Sequence, residues 1–335
     1  MADAFLFAFQ VISPMVLLML LGFWGRRKEF FNDLILGKLN SFIFKTGIPA
    51  LMFCNIYTLN ELSDISLPLM FFTLLSLAGL TLVGIGLAYV FADRTEQKGV
   101  IIQATFRSNF AIVGASLALA LGGSEGSVVA TSLQAPSILY FNIVAVVCLT
   151  FYSDHHSIDA RELARSILTN PLILAQLAGV LCLALRVIIP VDCEGVLLFS
   201  LSGTLPWLYS FLCNLSEMTS PLVLILLGAQ IDFTAINHLK KQLIVGVLMR
   251  LIGAPALGFL MAIAAAKLNL FLLTPATIGA LLALYGSPCP AASAIMAEQM
   301  EGDGELARQY VVWSTVFSML TLFLWALIFR TISWL

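Results

Sequence analysis

An apolar stretch of this chain is interrupted by the sequence YGSPCP at residues 285–290. Two prolines one residue apart, with a glycine before them, cannot continue an α-helix, because each proline removes a backbone donor and clashes with the preceding turn. A second apolar stretch carries the sequence RSN at residues 107–109, which places a cation and two hydrogen-bonding side chains in its middle. We therefore predict two interrupted helices.

The composition places both stretches in a membrane. Of 335 residues, 60 % are hydrophobic and 11 % are charged, against roughly 25 % charged in a soluble domain. The apolar runs are continuous and reach the roughly 20 residues that a spanning helix needs. This pattern predicts an all-α integral membrane protein and excludes a soluble enzyme, a disordered chain and a β-barrel. The net charge of −2, without a basic stripe, excludes nucleic acid as a partner.

The apolar runs predict ten transmembrane helices. We place these spans at residues 6–25, 38–57, 67–92, 99–121, 127–152, 171–189, 204–231, 241–266, 274–297 and 308–330. The odd-numbered connections hold eleven Lys and Arg residues, and the other side holds three. Because basic loops stay cytoplasmic, both termini are expected outside a plasma (cell inner) membrane.

The two halves of the chain carry similar features. Lys45 precedes Pro49 by four residues, and Glu217 precedes Pro221 by four, an offset of 172 in both cases. A repeat of five spans must be inverted, which is typical of transporters with a binding site near the midplane. We predict a first repeat at 1–152, a cytoplasmic linker at 153–170 and a second repeat at 171–335.

The interrupted fourth and ninth spans predict an anion site. Polar main chain at this depth cannot face lipid, so the breaks must be buried or line a wet cavity. Half-helix N-termini attract anions, and a guanidinium binds a carboxylate bidentately and stays charged when buried. The alternative for Arg107 is that it satisfies carbonyls freed by the ninth-helix break, or reaches the cytoplasmic surface. The candidate substrate-binding residues are Arg107, Ser108, Asn109, Ser287, Pro288, Cys289, Pro290 and Lys45.

A second group of polar residues is a candidate for coupling transport to an ion. Glu217 is a carboxylate in an apolar helix, which suits a proton carrier, and the remaining candidates are Thr131, Ser132 and Gln134. Arg250 lies near the start of the eighth span and is expected to extend to the membrane surface. No span carries a Ser/His pair, two aspartates or a metal-ligand set. We expect no enzymatic activity, no cofactor and no metal site.

Four short motifs resemble those of the auxin efflux carrier family, which includes plant auxin exporters and bacterial malonate and malate permeases. The motifs are RSNFAI at 107–112, TNPL at 169–172, LGAQ at 227–230 and WST at 313–315. The resemblance spans nearly the whole chain. It implies two inverted five-helix repeats and a crossed-helix fold shared with the bile acid:sodium symporters. Spans 1, 2, 6 and 7 would form a scaffold, which pairs into homodimers in relatives, and spans 3–5 and 8–10 a transport domain.

This resemblance implies a secondary transporter of small organic anions that works by an elevator-like or rocking motion. The plant exporters carry the sequence Asn-Pro-Asn where their interrupted helices cross. This chain lacks that sequence, so auxin is not the favoured substrate. In the bile acid symporters a carboxylate on the ninth helix helps to hold sodium, and residues 276–297 contain no Asp or Glu, so a proton is favoured over sodium as the coupling ion. The alternative is a weaker sodium site made by carbonyls with Thr131, Ser132 or Asn109. The alternative function is a transport-inactive membrane sensor on the same fold.

Overall fold

The computed structural model describes residues 2–57, 66–153, 169–188, 200–231, 235–332 and 334. Most of the predicted linker 153–170 lies outside these ranges. The helices are α1 (Ala2–Arg27), α2 (Asp33–Phe42), α3 (Ile48–Tyr57), α4 (Leu67–Phe91), α5 (Thr95–Phe106), α6 (Phe110–Phe151), α7 (Pro171–Ile188), α8 (Leu201–Thr204), α9 (Pro206–Ala229), α10 (Ala235–Leu248), α11 (Ala254–Lys267), α12 (Pro275–Gly286), α13 (Ala292–Gln299) and α14 (Gly304–Thr331). The described residues contain no strand.

Several of these helices are suited to a bilayer. Within the described ranges, five are long and apolar enough to cross a membrane, namely Leu67–Phe91, Leu117–Phe151, Pro206–Ala229, His238–Lys267 and Gly304–Thr331. On α4, Phe71, Leu75 and Leu82 share an outward face and are each more than 60 % exposed. Such a face is stable against lipid and not against water. The prediction of an all-α multi-pass membrane protein is therefore confirmed.

Two long helices contain a turn of π-helix just before a proline. The π segment Ile43–Gly47 joins α2 to α3 ahead of Pro49, and Met249–Gly253 joins α10 to α11 ahead of Pro255. A proline inside a helix leaves the carbonyl four residues earlier without its usual donor. For Pro255 this is the carbonyl of Leu251, which accepts a hydrogen bond of 3.0 Å from Trp325 Nε1.

Helix α6 is a hairpin of two arms. Gly123 separates the arms with φ 68° and ψ −163°, a left-handed backbone that glycine adopts readily. If residues 110–134 formed one straight helix, its ends would lie about 36 Å apart. Instead, Gln134 Nε2 donates a hydrogen bond of 3.3 Å to the carbonyl of Phe110. The hairpin therefore returns the second arm to the level at which the first one begins.

Helices α1 and α9 pack with their backbones in close approach. A Cβ atom added at Gly228 would collide with the backbone of Met19, and one at Gly22 would collide with the backbone of Ile225. Small residues permit this kind of packing between membrane helices.

The two interruptions expected from the sequence are present, and they touch. Helix α5 ends at Phe106 and α6 begins at Phe110, while α12 ends at Gly286 and α13 begins at Ala292. The amide of Asn109 donates a hydrogen bond of 2.8 Å to the carbonyl of Pro288. We call the two breaks, residues 107–109 and 287–291, the crossing.

The close approach of α1 and α9 predicts the effect of one added methyl group. Gly228→Ala should lower the free energy of unfolding by about 1–3 kcal/mol, because the backbones must separate to accept it. Gly86→Ala is the control, because nothing lies within 4 Å of a Cβ atom there. Thermal unfolding in detergent measures both. Equal melting temperatures for the two variants would contradict the packing described here.

Candidate functional site

The polar main chain of the crossing is partnered by protein groups. The amide of Cys289 donates to Ser314 Oγ at 3.0 Å, and Ser287 Oγ donates to the carbonyl of Ala283 at 2.5 Å. Together with the bond between Asn109 and Pro288, these contacts join α5, α6, α12 and α14. The crossing is therefore a fixed structure and not a frayed end.

A small cavity adjoins the crossing. Its volume is about 60 Å³, which exceeds the roughly 10–15 Å³ that a cavity needs to hold one water molecule. It is lined by Leu51, Met52, Asn55, Arg107, Ser108, Asn109, Ala111, Ile138, Phe141, Asn142, Thr219, Ser220, Val223, Pro290, Ala291 and Ala292. The cavity therefore has room for bound water.

The cavity lies at the N-terminal ends of two helices. Asn109 is the residue before α6, and Ala291 is the residue before α13. Both ends carry partial positive charge from the helix dipole. In addition, Ser108 Oγ and Asn109 Nδ2 are buried and have no hydrogen-bond partner within the described part of the chain. Two unpaired donors at this place favour a bound acceptor, since an unmade buried hydrogen bond costs free energy.

Arg107 provides the charge of the cavity. It is 3 % exposed, and its guanidinium donates to Asn142 Oδ1 at 2.7 Å, to Met296 Sδ at 2.9 Å and to Gln103 Oε1 at 3.4 Å. All three acceptors are neutral, and the thioether is a weak one. None of the ion pairs found between described residues involves Arg107. The cavity therefore contains a cation that has no anionic partner among the residues that the structure describes.

The cavity also contains polar residues that the sequence reasoning did not single out. Asn142 holds Arg107 and donates through Nδ2 to Met52 Sδ at 2.8 Å. Asn55 and Ser220 also line the cavity. The sequence did contain a signal for two of them, because each is an amide side chain within a predicted apolar span. Asn55 lies in the second predicted span and Asn142 in the fifth.

The structure brings together four of the eight predicted substrate-binding residues at the cavity wall, namely Arg107, Ser108, Asn109 and Pro290. Ser287, Pro288 and Cys289 form the buried part of the crossing and do not line the cavity. Lys45 is exposed on its π segment, also outside the cavity lining.

The ion-coupling candidates lie on two helices, with Thr131, Ser132 and Gln134 close together on α6 and Glu217 on α9. Thr131 is exposed and bonds the carbonyl of Ser127, and Ser132 bonds the carbonyl of Val129, both within their own helix. Gln134 bonds the first residue of α6. Glu217 is exposed on α9, two residues before the cavity residue Thr219.

Arg250 does not extend to the surface as expected. It is 0 % exposed, and its guanidinium donates to the carbonyl of Thr105 at 3.1 Å and to that of Tyr285. The prediction that Arg250 reaches the surface was wrong because it rested on the number of residues from the end of the span. That number gives the depth of a residue along the helix and not the face of the helix on which it lies.

A protein-family model covers nearly the whole chain. The model of the family described as "Membrane transport protein" matches residues 7–326. The chain belongs to this family, the auxin efflux carrier family. It is a multi-pass membrane transporter and, as a member of a family of transporters, not an enzyme. No curated protein matches the chain.

The bond between Ser314 and Cys289 predicts a loss of stability. Ser314→Ala leaves the buried amide of Cys289 without this acceptor and should destabilise the transporter by about 1–3 kcal/mol. Ser318→Ala is the matched control, because that serine is buried on the same helix and bonds only the carbonyl of Thr315. Thermal unfolding in detergent should show a lower melting temperature for the first variant. A larger loss in the control would contradict the assignment.

Proposed function

We propose that this protein is a secondary transporter of small organic anions, mono- or dicarboxylates, that works by alternating access. One observation supports this most strongly. The buried guanidinium of Arg107 lines a cavity at two helix N-termini, and its hydrogen-bond acceptors among the described residues are neutral. A carboxylate is the simplest ligand that matches a fork of donors and a positive field.

The proposed binding mode uses three kinds of donor. Arg107 binds the carboxylate, the unpaired Ser108 Oγ and Asn109 Nδ2 complete its hydrogen bonds, and the start of α13 contributes its dipole. Crossing residues 287–289 hold this arrangement without touching the ligand. Lys45 lies outside the cavity lining and takes no part in this binding mode.

The proposed architecture is that of ten spans in two inverted repeats. The spans assigned to the scaffold supply Leu51, Met52, Asn55, Thr219, Ser220 and Val223 to the cavity, and the spans assigned to the transport domain supply the remaining lining residues. A cavity between two such bodies is opened to one side or the other by an elevator-like or rocking motion. One contact between the bodies joins Asn40 Nδ2 to both carboxylate oxygens of Glu298, each at 3.1 Å. A motion that slides one body past the other would break it.

The proposal also includes the orientation of the transporter in the membrane and its pairing. Both termini face outward from a plasma membrane, and the scaffold pairs two copies. The exposed side chains of Trp207, Phe211 and Met218 on α9 support a contact with lipid or a second copy there.

Flux measurements test the substrate class. In proteoliposomes, labelled malonate, malate and small monocarboxylates should enter through the purified protein. Arg107→Met keeps the size of the side chain and removes its charge, and should reduce this flux at least about tenfold, equivalent to about 1.4 kcal/mol. Lys38→Ala, an exposed cation outside the cavity, is the control.

The outcomes of this experiment separate the two functions considered. No flux of either carboxylate class, or undiminished flux in Arg107→Met, would overturn the proposal. Thermal stabilisation by a carboxylate without flux would favour a sensor, because ligand binding stabilises the folded state whether or not transport occurs.

The proposed coupling ion is the proton. Glu217 lies on α9, the helix that supplies Thr219 and Ser220 to the cavity. A pH gradient should accelerate malonate flux in the wild type, and Glu217→Gln should abolish the acceleration while keeping basal flux, because an amide cannot carry the proton. Glu125→Gln, an exposed carboxylate at the α6 hairpin, is the control. Equal acceleration in both variants would rule out Glu217 as the carrier.

A further inference from the structure

The crossing also contains the C-terminal ends of two helices, which the proposed anion site does not use. Helices α5 and α12 both end there, at Phe106 and Gly286. Each C-terminus carries about half a negative charge, so two of them together amount to about one elementary charge. In transporters with interrupted helices, such carbonyl ends coordinate the coupling cation.

Arg250 binds both of these ends. Its guanidinium donates to the carbonyls of Thr105 and Tyr285, the last residue but one of α5 and of α12 respectively. The two acceptors therefore occupy equivalent places in the two interrupted helices. One side chain, fully buried, connects them.

The surroundings of Arg250 are those of a bound cation. No ion pair among the described residues includes it, and its Nε has no partner there. Within the described part of the chain, its charge is balanced by main-chain dipoles and not by a carboxylate. The π segment Met249–Gly253 carries it, and such turns are frequent at functional sites.

We propose that the guanidinium of Arg250 occupies the site between the C-terminal carbonyls of α5 and α12 where a monovalent cation such as Na⁺ would otherwise bind. Arg250 thus supplies a cation that is part of the chain. Transport therefore needs no sodium. Arg250 is a positioning residue that acts on the ligand through the crossing, and removing its side chain creates a cation site that a free guanidinium ion can enter.

The first experiment does not depend on any transported substrate. Arg250→Ala should lower the melting temperature of the purified protein by about 5–10 °C. Millimolar guanidinium should restore at least half of this loss, and Na⁺ a smaller part, relative to choline at equal ionic strength. The exposed Arg330→Ala is the control and should show no gain from either ion. A folded Arg250→Ala protein that gains nothing from guanidinium would overturn the proposal, and so would equal gains in both variants.

The second experiment uses transport and rests on the proposed function. Wild-type malonate flux should be the same in sodium and choline buffers, and guanidinium should restore flux in Arg250→Ala but not in Arg107→Met. Arg250→Lys, which keeps a cation, should retain more flux than Arg250→Ala. Sodium-dependent flux in the wild type would overturn the inference while leaving the anion transporter in place. Absence of any flux would instead count against the proposed function, and the stability experiment would still decide the role of Arg250.

Discussion

Main-chain groups that lose their helical partners inside a bilayer must find others, and this constraint governs the centre of the molecule. Lipid offers no hydrogen bonds, so each interrupted helix is stable only where protein or water supplies them. Here Ser314 binds the amide of Cys289, and the break at Asn109 binds the break at Pro288. The two interruptions are therefore mutually stabilising.

The direction of the helices gives the crossing two poles of opposite sign. At one pole two carbonyl ends meet the buried guanidinium of Arg250. At the other, two amide ends meet a cavity and a second guanidinium, that of Arg107, whose partners are neutral. At the first pole, Arg250 supplies a cation that balances the carbonyl ends. At the second, the described residues supply no anion to balance Arg107 and the amide ends. Only the second therefore offers a charged guest a large gain in free energy.

The sequence predicted the positions of the breaks because proline and glycine act locally. The polar residues at 107–109 were likewise evident, because a cation in an apolar segment needs a specific reason to be there. The roles of Asn142 and Arg250 were not evident. A helix that is apolar on every side gives no periodic signal of the face it turns inward, and each π segment further rotates the helical turns on its C-terminal side. Lys45 and Arg250 both lie on such segments, and only one of them is buried.

The volume of the cavity has a consequence for measured affinities. If helices such as α3 and α9 must move away from the crossing before this cavity of about 60 Å³ admits a dicarboxylate, only the molecules that have opened bind it. The apparent Kd then equals the intrinsic Kd divided by the fraction of molecules that are already open. Weak binding in an equilibrium assay would thus reflect the rarity of the open form, and a substitution that loosens the closed form would tighten binding without touching the ligand.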